Sequence, residues 1–276
     1  MRPRRVFDGV RLRGDLFNAD APKLFVSFRQ RLERPGAFDE ARPVKSFTDR
    51  GHAHLALQAR ENDWYINDET PAFEVMLAEV ATRYKRVVSM GFSMGGYAAL
   101  RFSKALDLKR VIAISPQVSI SPALVPGDIR FHRFAAEFDP ERGDLASHGR
   151  LRLRGAVLFD PFRPLDAFNA EAIGAIFSNL ALCRLAGGGH PATRTLREGG
   201  GYPALQRLLV GNEVARADIT GLHRAGRAKS PNYWHNLSGI ATRRGRPTLA
   251  EEAARRRAAL GGHDADPGLD DGASSP

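Results

Sequence analysis

RVVSMGFSMGGYAALRF, residues 86–102, decides how this chain is read. An apolar, β-branched run, Arg86–Met90, meets Gly91-Phe92-Ser93-Met94-Gly95-Gly96 and passes at once into Met94–Leu106, whose apolar spacing predicts a helix. So tight a passage from strand to helix forces its central residue into a strained backbone conformation, and Gly91 and Gly95 remove the side chains that would collide. Ser93 is then held out above the edge of a sheet. Gly96 and the Ala98-Ala99 pair let the helix lie close to the strands. The helix start aims unpaired N–H groups and its positive end at the serine. A phosphate cradle at the same turn is disfavoured, because no Gly-Lys-Ser/Thr follows and Met94 stands where a polar contact would help.

Outward from this turn, short apolar runs alternate with longer amphipathic ones. Strands are predicted at Leu24–Phe28, His54–Ala59, Arg86–Met90, Arg110–Ser115, Gly155–Phe159 and Leu180–Leu185. Their nearly continuous apolar character is that of strands covered on both faces of a parallel sheet. Helices are predicted at Pro71–Tyr84, with Thr70 as N-cap, at Leu165–Ser178 and at Tyr202–Val210. The fold class is therefore α/β. Residues 116–150, rich in Pro and Gly, are too long for a plain βα connection of about 2 to 6 residues and read as an insertion. Beyond residue 212 the β pattern stops, and 213–262 form a basic helical appendage. Within it, Trp234, Leu237, Gly245, Ala250 and Ala254 are spaced as in one tetratricopeptide-like hairpin turning at Arg244-Gly245-Arg246-Pro247. Residues 263–276, with four Asp and no Lys or Arg, predict a disordered acidic tail.

Composition sets outer limits. The 276 residues suit one large domain with a small addition. A 43% hydrophobic, 26% charged chain with mean hydropathy −0.32 is neither collagen-like nor wholly disordered. No apolar run approaches the roughly 20 residues that span a bilayer, and MRPRRVFDGVRLRGD has no signal-like apolar core, so neither export nor a membrane span is expected. The single Cys183 excludes an intramolecular disulfide or a thiolate metal site and suits a reducing cytoplasm. The net charge is +10, of which +6 falls in residues 213–262 and −4 in the tail, leaving +8 spread over 1–212 without a dense block. That spread reads as a solvated surface, with no specific nucleic-acid partner.

A serine hydroxyl is a poor nucleophile until a base takes its proton, so Ser93 calls for a histidine and an orienting carboxylate later in the chain. Asp160 ends the predicted strand Gly155–Phe159, and His190 follows Ala186-Gly187-Gly188-Gly189 after Leu180–Leu185. Both lie on loops after strand carboxyl ends, where open α/β sheets gather ligand groups. Asp160 is assigned as the orienting acid; Asp166, six residues on, is the alternative and otherwise a helix cap. His52 and His54 sit at the wrong end of a strand, and their H-x-H spacing has no accompanying ligand cluster to make a metal site.

With strand before, helix after and an α/β register around it, Gly91-Phe92-Ser93-Met94-Gly95 resembles the turn of the α/β-hydrolase superfamily over about residues 20–212. The resemblance implies a mainly parallel sheet with helices on both faces, the order Ser, Asp/Glu, His, and a cap in the position of 116–150. It implies two oxyanion donors: the backbone N–H of Met94, and one after an early strand, at Phe28 or Arg29. This chain lacks the HGGG form of many lipases there. Trp64 and Tyr65 on one loop, and Arg130 and His132 in the insertion, are candidate substrate contacts. The expected activity is hydrolysis of a small carboxylic ester or thioester through an acyl-enzyme on Ser93, with no metal or cofactor required. Acyl transfer by the same residues, or a non-catalytic binding protein using the helical appendage to hold a protein partner, are the alternatives.

Overall fold

Side chains along an extended strand point alternately to the two sheet faces, so a continuous apolar run demands cover on both. The computed structural model describes residues 2–261 and supplies that cover. The chain runs β1 (Arg4–Asp8), β2 (Leu12–Phe17), β3 (Lys23–Phe28), α1 (Lys45–Thr48), β4 (His52–Ala59), α2 (Thr70–Ala81), β5 (Arg86–Phe92), α3 (Met94–Arg101) and β6 (Arg110–Ile114). A 3₁₀ turn, Ile129–Phe134, and α4 (Leu145–His148) occupy the insertion. Then come β7 (Arg154–Phe159), α5 (Pro164–Ile176), β8 (Leu180–Arg184), α6 (Arg194–Glu198), α7 (Tyr202–Val210), α8 (Arg216–Arg227), α9 (Pro231–Arg243) and α10 (Pro247–Ala259).

One eight-stranded sheet results, in the order β1-β2-β4-β3-β5-β6-β7-β8. The pairs β1/β2 and β2/β4 are antiparallel; from β4 to β8 every pair is parallel. This is the doubly covered, α/β-hydrolase-like sheet that the sequence predicts. Val87, Val111 and Val157 face a core built with Phe73, Leu77, Ala98 and Ile173 of α2, α3 and α5. Their neighbours Val88, Ile112 and Leu158 face the opposite core, with Phe47 of α1, Leu196 of α6, Leu205 of α7 and Ile219 of α8. All six predicted strands form. Among the described residues no helix is long and apolar enough to cross a membrane.

The hairpin β1–β2 was not read from the sequence. Its edge strand is mostly exposed and Arg-rich, without an apolar run, although Asp8-Gly9 is a turn signal. Glu69 secures it: the carboxylate accepts from the backbone N–H groups of Val10 (2.6 Å), Arg11 (3.1 Å) and Leu12 (2.8 Å). The expected cap of α2 is also displaced. Glu69 is the N-cap residue, and Thr70, inside the first turn, donates its hydroxyl to the Tyr65 carbonyl. The predicted helix 94–106 ends as a helix at Arg101, and the residues after it continue as turns. Val214 and Ile219 join the second core, so the segment after residue 212 starts inside the main body, and the helical hairpin itself is α9–α10. The acidic tail from residue 263 lies outside the described residues.

Because the bonds to Val10 and Arg11 lie where water can replace much of what the carboxylate supplies, Glu69→Ala should destabilise the fold by about 2–4 kcal/mol, less than the sum of three charge-assisted hydrogen bonds at about 1.5–3 kcal/mol each. A lower urea midpoint, with earlier proteolytic loss of residues 1–17, checks this.

Candidate functional site

Backbone crowding makes the turn at Ser93. A Cβ on Gly91 would fall inside the van der Waals envelope of the Gly95 carbonyl, and one on Gly95 inside that of the Phe28 carbonyl. The turn therefore closes directly onto the end of β3, and Ser93 takes φ 48° and ψ −120°, a region that costs a non-glycine residue about 1–3 kcal/mol. The Ser93 N–H donates to the Ile114 carbonyl (2.8 Å), and its own carbonyl accepts from Gly96 (2.8 Å) and Tyr97 (3.0 Å). These bonds on both sides hold the strained residue in place.

The Ser93 hydroxyl meets Gln117, which the sequence reading did not single out. The Trp64 indole N–H, a donor only, donates to Gln117 Oε1 (3.1 Å) and so orients the amide. Gln117 Nε2 then donates to the Ser115 carbonyl (3.1 Å) and faces Ser93 Oγ at 3.3 Å. Gln117 follows Ser115-Pro116 at the carboxyl end of β6, the edge that the sequence already marks as functional.

The carboxylate assignment changes. His190 Nδ1 lies 2.9 Å from Asp166 Oδ2, not against Asp160. Asp160 instead accepts from the backbone N–H groups of Phe162 (3.0 Å), Gly187 (3.1 Å) and Gly189 (2.9 Å). It shapes the glycine-rich loop, and leaving the strand directly makes it reach the loop backbone before it can reach the imidazole. Asp166, in the first turn of α5, meets His190 instead. An ionised carboxylate at Nδ1 fixes the proton there and leaves Nε2 as acceptor.

Electrostatics separate the two acids. Burial opposes ionisation of Asp166, but the charge and hydrogen bond of His190, and those of Arg130, hold its carboxyl below its ordinary value. Burial pushes the Asp160 carboxyl above its ordinary value against the pull of its N–H donors. Arg130, expected as a substrate contact, is consumed in this network: Nη1 donates to Asp166 Oδ1 (2.7 Å), while Nε and Nη2 form a fork on Asp128 (both 2.7 Å). Asn169, fully buried, donates to Asp128 Oδ2 (2.8 Å) and accepts from Val118 (2.7 Å). The insertion is thereby tied to the acid.

The remaining candidates fall into place. Trp64 and Tyr65 are fully buried, so neither offers the aromatic surface that the sequence suggests. Trp64 packs beneath Phe131 and Phe134 of the insertion, and Tyr65 donates to the Arg29 and Leu57 carbonyls (3.0 Å each). His132, half-buried, is 3.2 Å from the Val125 carbonyl within its own loop. Met94 opens α3, where its N–H has no intrahelical acceptor. Phe28 turns its carbonyl toward Gly95, and the Arg29 N–H donates to the Leu57 carbonyl (2.9 Å), which removes Arg29 as an oxyanion donor. His54 is buried, with Ser27 Oγ 2.7 Å from Nε2 and the Val44 N–H donating to Nδ1 (3.2 Å), and burial lowers its pKa to about 4. Among the described residues no group of three metal-ligating side chains occurs.

Two anchors bring the pieces together. Ser93 N–H bonds the carbonyl of Ile114, and Ser115 Oγ, on the next residue, accepts from the Ala192 N–H (3.2 Å) just past His190. From the other side α8 and α9 clasp the glycine loop: Asn236 donates to the Gly187 carbonyl (3.0 Å), Asn232 to that of Gly188 (3.1 Å), and His223 Nε2 lies 3.0 Å from that of Ala186.

No protein-family model and no curated protein matches this chain. Similar solved structures include a capsule O-acetyltransferase of Neisseria meningitidis serogroup A (13% identity, 65% of this chain and 85% of that one, TM-score 0.49). They also include Est1E from Butyrivibrio proteoclasticus (14% identity, 75% and 99%, TM-score 0.48) and a Pyrococcus furiosus esterase (14% identity, 76% and 91%, TM-score 0.47).

The two carboxylates should give opposite pH dependences of stability. A carboxyl held low in the fold stabilises it above its unfolded pKa, and that gain is lost as pH falls through the folded value; a raised one does the reverse. Urea midpoints measured between about pH 7 and pH 3 should show the advantage of wild type over Asp166→Asn shrinking with acidification, and that over Asp160→Asn growing.

Proposed function

We propose that this chain is a cytoplasmic serine hydrolase that cleaves a carboxylic ester or thioester through an acyl-enzyme on Ser93, with His190 as general base and Asp166 as orienting acid. The observation that carries this reading is the His190–Asp166 pair, locked through Nδ1 and anchored one residue along β6 from the strained serine. Nε2 of that imidazole is left with an acceptor lone pair that can take the Ser93 proton.

In the reaction, Ser93 Oγ turns from Gln117 to give its proton to His190 Nε2 as it attacks the acyl carbon. Hydrogen bonds of this kind are often long before substrate binds and tighten in the complex. Asp166, kept ionised by Arg130 and His190, stabilises the imidazolium that forms. The imidazolium then protonates the departing alkoxide or thiolate, and a water activated by the same nitrogen releases the acid. The oxyanion is held by the Met94 N–H at the start of α3 and by a second backbone donor at the end of β3, where the Arg29 N–H is already committed to the Leu57 carbonyl. Each such donor is worth about 10²–10³ in rate.

A fluorophosphonate should label the wild-type protein and fail on Ser93→Ala. With p-nitrophenyl acetate, Asp166→Asn should lower kcat by about 10⁴, as amidation of the orienting acid does in the analogous proteases, whereas Asp160→Asn should act mainly on stability. Absence of labelling with an intact circular dichroism spectrum would remove the catalytic reading.

A further inference from the structure

A share of the positive charges of residues 1–212, scattered in the sequence, meets at the end of the sheet opposite Ser93. β5, β6 and β7 each begin with an arginine, Arg86, Arg110 and Arg154, and Arg110 and Arg154 are register partners. Adjacent strands lie about 4.8 Å apart, so the stems of Arg110 and Arg154 are side by side, with Arg86 on the neighbouring strand two residues before Val88, the register partner of Arg110. Lys85, Lys109 and Arg152 join them around a hollow of ≈ 520 Å³. A second hollow of ≈ 790 Å³ shares Arg110, Arg154 and Asn212 with it.

The carboxylates nearby do not balance this charge. Asp107 pairs with Lys109 (2.5 Å) and with Arg150, and Glu213 lines the second hollow. Among the described residues, no carboxylate stands within ion-pair distance of Lys85, Arg86, Arg110, Arg152 or Arg154. Arg86 donates to the Gly211 carbonyl (2.7 Å), and Arg110 to the carbonyls of Leu209 (3.3 Å), Gly211 and Asn212. Those carbonyls, at and just beyond the C-terminal end of α7, hold the two guanidinium groups in place but carry no full charge. Burial, then the charges of Arg86 and Arg154, push the Arg110 pKa below its ordinary value, while Glu213 acts in the other sense. Cations already fixed, crowded and unneutralised lose little freedom and much repulsion when an anion enters. Guanidinium forks suit phosphoryl oxygens, and the volume of the hollow is that of a small-ligand site.

We propose that this end of the sheet binds a small anion carrying two or more phosphoryl groups, at a site separate from Ser93. Arg152 and Arg154 are exposed, and replacing their charges leaves both cores untouched. Calorimetric titration with inorganic tripolyphosphate at about 0.1 M salt should show saturable binding that Ser93→Ala leaves unchanged. The double variant Arg152→Gln/Arg154→Gln should weaken it by about tenfold or more. Arg34→Gln/Arg42→Gln, an equal loss of exposed charge elsewhere, should stay within about twofold of wild type. Equal weakening in both double variants would reduce the effect to net charge and overturn the site, as would no saturable binding. Tighter binding of a single-stranded oligonucleotide than of tripolyphosphate would overturn the bounded phosphate site in favour of an extended nucleic-acid surface.

Discussion

The approach of Gly95 to the Phe28 carbonyl is the contact on which the architecture of the site depends. It brings the start of α3 against the end of β3, and no residue larger than glycine lets those two backbones meet. The cost appears two residues earlier, in the positive φ of Ser93, and is offset by three backbone hydrogen bonds that hold the turn to β6 and to its own helix. Strain of this kind persists only where surrounding structure over-determines it. Here the same crowding that strains the backbone also holds the hydroxyl at the sheet edge and exposes the first N–H groups of a helix.

A second constraint joins the insertion to the histidine. Arg130 spans Asp128 and Asp166, and the buried Asn169 ties Asp128 to the backbone of Val118. A guanidinium with two carboxylates, all nearly withdrawn from water, repays its desolvation only through well-placed hydrogen bonds, and here each of the three guanidinium nitrogens donates one, of 2.7 Å. The acid is consequently oriented chiefly by the insertion, with Arg163 of its own loop 3.9 Å from the other oxygen. On the other side, Asp160 and the asparagines of α9 hold the glycine run that carries His190. The C-terminal helices thus support the site, although no residue of theirs lies in the proposed reaction path.

How much was readable in the chain differs by element. Strands β3 to β8 were legible because burial on both faces makes each an apolar run, and the Ser93 turn because glycine spacing there has a local steric cause. The hairpin β1–β2 was not, since an exposed edge strand needs no apolar run and its attachment depends on Glu69, which lies more than fifty residues away. Gln117 was hidden because its role comes from an indole 53 residues distant in sequence. Arg130 was misread for the same reason: a lone arginine in a loop looks solvated until Asp128 and Asp166 enclose it.

Residue order alone determined the α/β alternation, the strained serine turn, and the strand ends from which a carboxylate and a histidine could be drawn. These follow from periodicity and from sterics acting within a few residues. Only the tertiary structure decided which aspartate meets His190, that the Arg29 amide is committed to β4, and that single arginines at three strand starts form one cationic cluster. Those outcomes depend on the direction of side chains arriving from separate elements, and direction is settled by packing between the elements.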